Sequence, residues 1–273
     1  MKVREEMFLD IRKRNDLLAK REEIADLFRR SFERELDLDD WQWFYVENPA
    51  GPAYVSLFYE HDRLLGHYAV VPSLLSHRGQ QVIGYRSMTT MVHPDGRGRG
   101  LFTELANRTY AMLLQDGAPL VYGFPNGNSA HGFAKYLDWS LSPADRIVDF
   151  SGVELLKEES LIAALTADAD LCWDVENQAQ AAWRVSQPRR VFKAVPGLVT
   201  KIHEGRHNLL HIDARGLAGI DPLATYRVLV PFEYEPDLME SRKVMNHQFG
   251  IRFFDETMAK TGIKRELIMS DVF

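Results

Sequence analysis

Between Val92 and Leu105 the chain reads VHPDGRGRGLFTEL, with three glycines and two arginines set between an apolar run and a helical pattern. The run before it, QQVIGYRSMTTMV, is β-rich and predicts a strand. After it, Leu101, Phe102, Leu105, Ala106, Tyr110 and Leu113 share one helical face, and Gly117 marks a stop. A strand, a glycine loop and a helix in that order point unpaired backbone N–H groups and the positive end of a helix dipole at one place. Glycines let an anion approach that backbone closely, so the stretch suits a phosphate. It is not a Walker A loop, because Leu101 and Phe102 follow Gly100 where Lys and Ser/Thr are needed. It is not a dinucleotide fingerprint, because the next strand-like run, LVYGFPN, carries no acidic residue. An RNA-binding Arg/Gly tract would repeat, and this one does not. A plain surface turn with solvated arginines is the remaining alternative.

Before this stretch, LLAKREEIADLFRRSFER has the 3–4 residue apolar spacing of an amphipathic helix, and DLDDWQWFYVENPAG predicts a short helix ending near Asn48. PAYVSLFYEHDRLLGHYAVVPSLL predicts a hairpin turning at His61-Asp62-Arg63. Beyond the glycine stretch come a short buried strand, PLVYGFPN, and a helix over NSAHGFAKYLDW. Past residue 145 the pattern predicts one helix over GVELLKEESLIAALTADADL, strands at VFKAV, LVTKIHE, HNLLHID and YRVLVPF, and a long helix from Glu240 to Lys260. WFYVENP and WRVSQP form a weak internal match between the halves. HEGRH (His203, His207) has zinc-like spacing but no helical pattern around it, and reads as a turn between strands. No metal site is expected.

The 273 residues suffice for one large or two modest domains. A net charge of −6 argues against a general nucleic-acid binder. Cys172 is the only cysteine, which excludes an internal disulfide and fits a reducing cytoplasm. MKVREEMFLDIRKRND lacks the apolar core of a secretory signal, and no apolar run approaches the ~20 residues of a membrane helix. A soluble, cytoplasmic protein without membrane or nucleic-acid partners is expected; a homo-oligomer is left open.

Val92, Pro94, Arg97 and Gly100 stand in register with the signature Val-x-Pro, two residues, Arg/Gln-x-x-Gly-x-Gly/Ala, and this stretch resembles the acyl-CoA loop of the GNAT superfamily of N-acyltransferases. Phe102 departs from it, standing where Gly or Ala is usual. The order of elements across residues 10–140 is similar as well. The resemblance implies an α+β fold, a mostly antiparallel mixed sheet flanked by helices. It divides the chain into a GNAT domain at residues 1–145 and a second α+β half at 146–273, either a degenerate GNAT-like copy or an added sheet. It also implies acetyl-CoA, or another acyl-CoA, as cofactor. The pyrophosphate would rest on Gly98, Arg99, Gly100, Leu101, Phe102 and Thr103 beside Arg97, and the pantetheine arm on the backbone of Thr90, Met91 and Val92.

The same resemblance implies a Tyr general acid in the helix after the fifth strand, but aligning GFAKYLDW puts Ala134 there. Tyr136, two residues on, lies roughly 200° round the helix. His131 is either a base or a surface residue. Asn126 and Asn128 either touch the cofactor or, for Asn128, cap the helix. Tyr85, Arg86 and Ser87 begin the strand before the loop, where polar side chains would face the acceptor slot; Arg86 is equally a solvated edge residue. Trp41, Trp43 and Tyr45 fall where acceptor sites are lined, or form core. The expected activity is acetyl transfer to a primary amine on a small molecule by direct attack. The alternatives are an inactive CoA-binding or scaffold protein and an aminoacyl-tRNA-dependent transferase of related fold.

Overall fold

The computed structural model describes residues 6–234 and 243–270. The chain opens with β1 (Glu6–Ile11), α1 (Arg14–Leu18), α2 (Arg21–Phe32), α3 (Leu38–Tyr45), β2 (Tyr54–Glu60), β3 (Arg63–His77) and β4 (Gln80–Val92). A 3-10 turn at Pro94–Gly96 leads into α4 (Leu101–Gln115), β5 (Leu120–Gly123), α5 (Ala130–Tyr136) and β6 (Ser140–Leu141). Next come β7 (Asp145–Ser151), α6 (Gly152–Lys157), α7 (Glu159–Thr166), β8 (Leu171–Trp173) and α8 (Gln178–Val185). The chain finishes with β9 (Val191–Val195), β10 (Leu198–His203), β11 (Arg206–Ile212), β12 (Thr225–Val230), β13 (Lys243–His247) and β14 (Gly250–Phe253).

Local chemistry explains the elements that frame the site. In α2, Ile24, Leu27 and Phe28 are buried on one face, Glu22 and Glu23 sit in the first turn and Arg29 and Arg30 in the last, matching the helix dipole. Asp37 caps α3 by accepting the N–H groups of Asp39 (3.1 Å) and Asp40 (3.2 Å). The hairpins β2–β3, β3–β4 and β10–β11 turn on His61-Asp62, Arg78-Gly79 and Glu204-Gly205, all with positive φ, as tight two-residue loops require. HEGRH is thus the β10–β11 turn.

Two sheets form. The first has the order β1-β2-β3-β4-β5-β14-β6, with β8 added on β3; the second runs β13-β7-β12-β11-β10-β9. Both contain one scheme: three consecutive antiparallel strands (β2-β3-β4, extended outward by β1, and β9-β10-β11), then a parallel neighbour (β5, β12), then an antiparallel strand from elsewhere in the chain (β14, β7). Both faces of the first sheet are covered, so β2 is buried on both sides rather than alternating. Val55, Leu57 and Tyr59 meet α2 and α3, whereas Tyr54 and Phe58 meet α4. A third core joins the sheets, with Leu75, Leu120 and Tyr122 against Ile147, Leu229 and Leu267.

The long helix expected over residues 240–260 is not there: residues 240–242 lie outside the described residues, and the stretch beyond holds β13 and β14. The partners of these strands are β7 and β5, roughly a hundred residues or more upstream, and that long-range pairing overrides local propensity. The single helix expected from residue 152 is two, α6 and α7, parted at Glu158, and Leu171 already belongs to β8. The strand β1 and helix α8 were not anticipated. The second sheet begins with β7 at Asp145, and β8 and β14 from beyond it join the first sheet. The WFYVENP and WRVSQP segments meet physically. Trp43 and Trp183 stack with ring centroids 4.4 Å apart, and each indole N–H donates to the other's carbonyl, at 3.0 and 3.1 Å.

Candidate functional site

The site begins at a defect in β4. Between His67 and Ala69 the β3–β4 register slips, leaving one extra residue on β4. Thr89 takes a φ of 53°, unusual for a β-branched residue. Its carbonyl is held by His67 Nδ1 at 2.8 Å. A carbonyl only accepts, so Nδ1 carries the hydrogen. Burial pushes the pKa of His67 down to about 4, so the ring is neutral near pH 7.

The bulge bends β4 away from its parallel neighbour. They pair only at Tyr85–Val121 and Arg86–Tyr122. Beyond Arg86 they diverge around a wedge of about 840 Å³. One wall is Ser87 to Val92, the other Gly123 to Asn126, and Phe28, Ser31, Phe32 and Arg34 of α2 and its C-terminal flank overhang it. Among the described lining residues the only ionisable side chains are Arg34 and Arg97. Among the described residues the wedge is lined by positive charge and by no carboxylate, imidazole or thiol.

At the wide end, His93 Nδ1 accepts the Asp95 N–H (3.1 Å) and fixes the 3-10 turn. Gly98 and Gly100 follow with φ of 77° and 73°, and a Cβ on either would meet nothing within 4 Å. These glycines serve the backbone angle rather than internal packing. The first-turn amides of the 15-residue α4 have no intrahelical acceptor. Arg97 lines the wedge without an ion pair among the described residues, whereas Arg99 turns to the far side, bound to Glu6 (2.9 Å) and Glu60 (3.0 Å) over the Phe58 ring. The two arginines therefore differ in use. Thr90, Met91, Val92, Arg97, Phe102, Asn126 and Asn128 line the wedge; Arg99, Gly100, Leu101 and Thr103 instead border a cleft outside α4.

Phe102 bridges two helices. Its ring meets Phe133 of α5 edge-on at 5.1 Å, and a Cβ on Gly132 would lie 2.9 Å from it. The bulky residue in the first turn of α4 is matched by a missing side chain in α5. Asn126, rather than Asn128, organises the entry to α5: its Oδ1 accepts the N–H groups of Asn128 (3.0 Å) and Ser129 (3.1 Å).

The other expected residues are not brought to the wedge. Tyr136 is 53% exposed on the outside of α5, its ring 6.2 Å from that of His131, while Phe133 and Leu137 take the inner face. Trp41 is buried in the α2–α3 core. Tyr85 packs edge-on against Tyr54. Arg86 is buried, donates to the Met269 carbonyl (3.0 Å) and lies over the Phe44 ring, so it is neither a solvated edge residue nor a wedge residue. Tyr85 and Arg86 sit where β4 is still paired to β5, below the apex of the wedge. Sequence reasoning missed Phe28, Phe32 and Arg34, whereas Ser87, expected to face the acceptor slot, lines the wedge. Phe32 gave a signal: it ends the apolar face of α2 yet is 44% exposed, and the Arg34 guanidinium stacks over it and Phe28. Among the described residues no His, Cys, Asp or Glu cluster could hold a metal, and no helix is long and apolar enough to cross a membrane.

Comparison with known proteins places this geometry. A family model described as an acetyltransferase (GNAT) domain matches residues 14–142. No curated protein matches the sequence. Among solved structures, a GCN5-related N-acetyltransferase from Kribbella flavida superposes with a TM-score of 0.60 at 15% identity, covering 92% of this chain and 72% of that one. A protein of unknown function from Enterococcus faecalis gives 0.59 at 10%, covering 92% and 73%. A Pyrococcus horikoshii acetyltransferase candidate gives 0.56 at 10%, with 94% of both chains covered. At such identities the likeness is one of fold.

Proposed function

Residues 14–142 belong to the GNAT acetyltransferase domain family, and on that premise we propose that this chain transfers an acetyl group from acetyl-CoA to a primary amine of a small molecule. The observation that carries the reading is the joint between the wedge and the glycine loop. An electropositive slot opens at the Thr89 bulge and reaches Arg97, which directly precedes the two positive-φ glycines at the start of a long helix. A thioester with a polyanionic tail fits this pairing: Arg97 and the amides at the start of α4 would hold the pyrophosphate, and the diverging backbone of Thr90 to Val92 would pair with the pantetheine arm. In the transfer the neutral amine nitrogen bonds to the carbonyl carbon and the C–S bond breaks. Sulfur leaves with the electron pair, and the proton lost by the amine ends on it through solvent, giving the free thiol of CoA. With no described carboxylate or imidazole lining the wedge, the amine reaches the site already neutral, and placement rather than acid–base chemistry supplies the rate.

The second half is read as a degenerate copy of the first, supported by the recurrence of its strand order. The placement of Tyr136 and His131 outside the wedge favours a second reading, a CoA-binding protein without turnover. Calorimetry with acetyl-CoA tests the common premise: no binding at sub-millimolar cofactor rejects both. Release of CoA thiol with a panel of primary amines then separates them, since turnover with any amine excludes the inactive reading.

A further inference from the structure

The wedge opens on both faces of the first sheet, and its two cations stand apart. On the α4 face Phe102, Phe133 and Trp139 line it and pack on one another, Phe102 to Phe133 at 5.1 Å and Phe133 to Trp139 at 4.4 Å between ring centroids. On the opposite face α2 supplies Phe28 and Phe32, followed by Arg34. Arg97 belongs to the loop that leads into α4.

Arg34 is held in place without being neutralised. Arg29 and Arg30, in the last turn of α2, both pair with Asp26 of their own helix and already complement the helix dipole. Arg34 has no ion pair among the described residues, yet its guanidinium lies over the Phe28 and Phe32 rings, at 5.2 and 5.9 Å. The chain leaves α2 through Glu33, at a φ of 56°, and then places Arg34 back over the helix end. Glu33 and Glu35 flank Arg34 in sequence but do not line the wedge. A guanidinium seated on aromatic rings is oriented through its face, and its N–H edge remains for a planar anion.

We propose that the acceptor amine also carries an anionic group, a carboxylate or a phosphate, and that Arg34 binds it. This rests on the acyl-CoA reading of the wedge. A cofactor whose pyrophosphate rests at the start of α4 lies toward the α4 face, and its arm takes up the gap between β4 and β5. Phe102, Phe133 and Trp139 close that face behind the thioester. The amine therefore approaches the carbonyl carbon from the α2 face, past Phe28, Phe32 and Arg34. The guanidinium fork offers two N–H donors to one anion, and the rings beside it suit the carbon frame that joins the anion to the amine. Anchoring the anion fixes where the amine sits, and the transfer depends on that placement.

The test is calorimetry of paired amines against the protein saturated with CoA, in the wild type, Arg34→Ala and Arg34→Lys. The pairs are leucine and phenylalanine, each beside its decarboxylated amine, and phosphoethanolamine beside ethanolamine. At least one anionic amine is expected to bind the wild type about 10- to 100-fold more tightly than its anion-free partner. The pair with the larger ratio tells carboxylate from phosphate. In Arg34→Ala the ratio falls to about one, and Arg34→Lys restores part of it, because an ammonium lacks the fork. With an amine that is turned over, the loss in Arg34→Ala falls on KM for the amine and not on KM for acetyl-CoA. Equal affinity within every pair, or no binding of any anionic amine, overturns the proposal and leaves the cofactor site standing. Weaker acetyl-CoA binding in Arg34→Ala with the amine preference intact also overturns it, and would seat the guanidinium on a cofactor phosphate. Absence of any acetyl-CoA binding to the wild type overturns both.

Discussion

The two sheets open in the same manner and are used differently. In the first, β4 and β5 pair at two positions and diverge around a wedge of about 840 Å³. In the second, β11 and β12 pair only from Arg206 to Asn208 and diverge around a cavity of about 350 Å³. The second opening is lined partly by the chain's own Ile263 to Leu267. His211 Nδ1 meets the Glu266 carboxylate at 2.8 Å, Lys264 Nζ donates to the Ile212 carbonyl at 3.1 Å, and Leu267 is fully buried. The connectors differ as well. A glycine loop and a 15-residue helix follow β4, whereas a six-residue 3-10 turn, Ala214–Gly219, follows β11. A Cβ on Gly216 would lie 2.1 Å from the Gly197 carbonyl oxygen. Glycines in the first connector leave open space beside the backbone; this glycine in the second lets two backbones touch. Diverging parallel strands therefore give an opening, and the connector decides how much of it the chain itself fills.

The comparison can be broken at four points. Gly216→Ala should destabilise the fold by about 3 kcal/mol, read from urea unfolding, because backbone rather than a flexible side chain must move. Gly100→Glu should instead weaken acetyl-CoA binding at least about 100-fold by calorimetry, with only about 1–2 kcal/mol lost from stability for a side chain at positive φ. Equal effects of the two substitutions on folding would erase the distinction. The bulge gives the third point. The unfolded chain protonates His67 near pH 6.5, the folded chain only near pH 4. The stability from its neutral ring is therefore present above pH 6.5 and is lost as pH falls toward 4. Between pH 7 and 5 the loss should be about 2 kcal/mol, and His67→Asn should flatten that part of the urea midpoint against pH. Last and smallest, Asn126→Ala should cost about 1 kcal/mol in thermal unfolding, while Asn128→Ala should cost a few tenths.

How far the sequence foretold the molecule follows the range of the interactions. The glycine loop, α2, α4 and the first hairpins are written in near neighbours, as turn residues, caps and a 3.6-residue period. β8, β13 and β14 owe their existence to partners about a hundred residues away, so no window of sequence contains the reason for them. The site divides along the same line. Arg97 and the backbone of Thr90 to Val92 were legible because the loop fixes them. Trp41, Tyr85 and Arg86 misled because the acceptor side depends on where β4 leaves β5, and that point is set by a bulge tied to His67 on another strand. Ser87 was legible as a polar residue of that strand, and of Tyr85, Arg86 and Ser87 it is the one that lines the wedge. Its buried neighbours Tyr68, Tyr110 and Trp139 were not legible, because they arrive from β3, α4 and the segment after α5.

The Trp43–Trp183 stack gives the molecule a built-in optical gauge. Two indoles 4.4 Å apart and inclined by 17° are close enough for their transitions to couple. Their circular dichroism should carry a paired band that neither ring shows alone. Because one ring belongs to each half, that band reports the docking of the halves rather than the integrity of either sheet. Its disappearance before the loss of far-ultraviolet signal would time their separation.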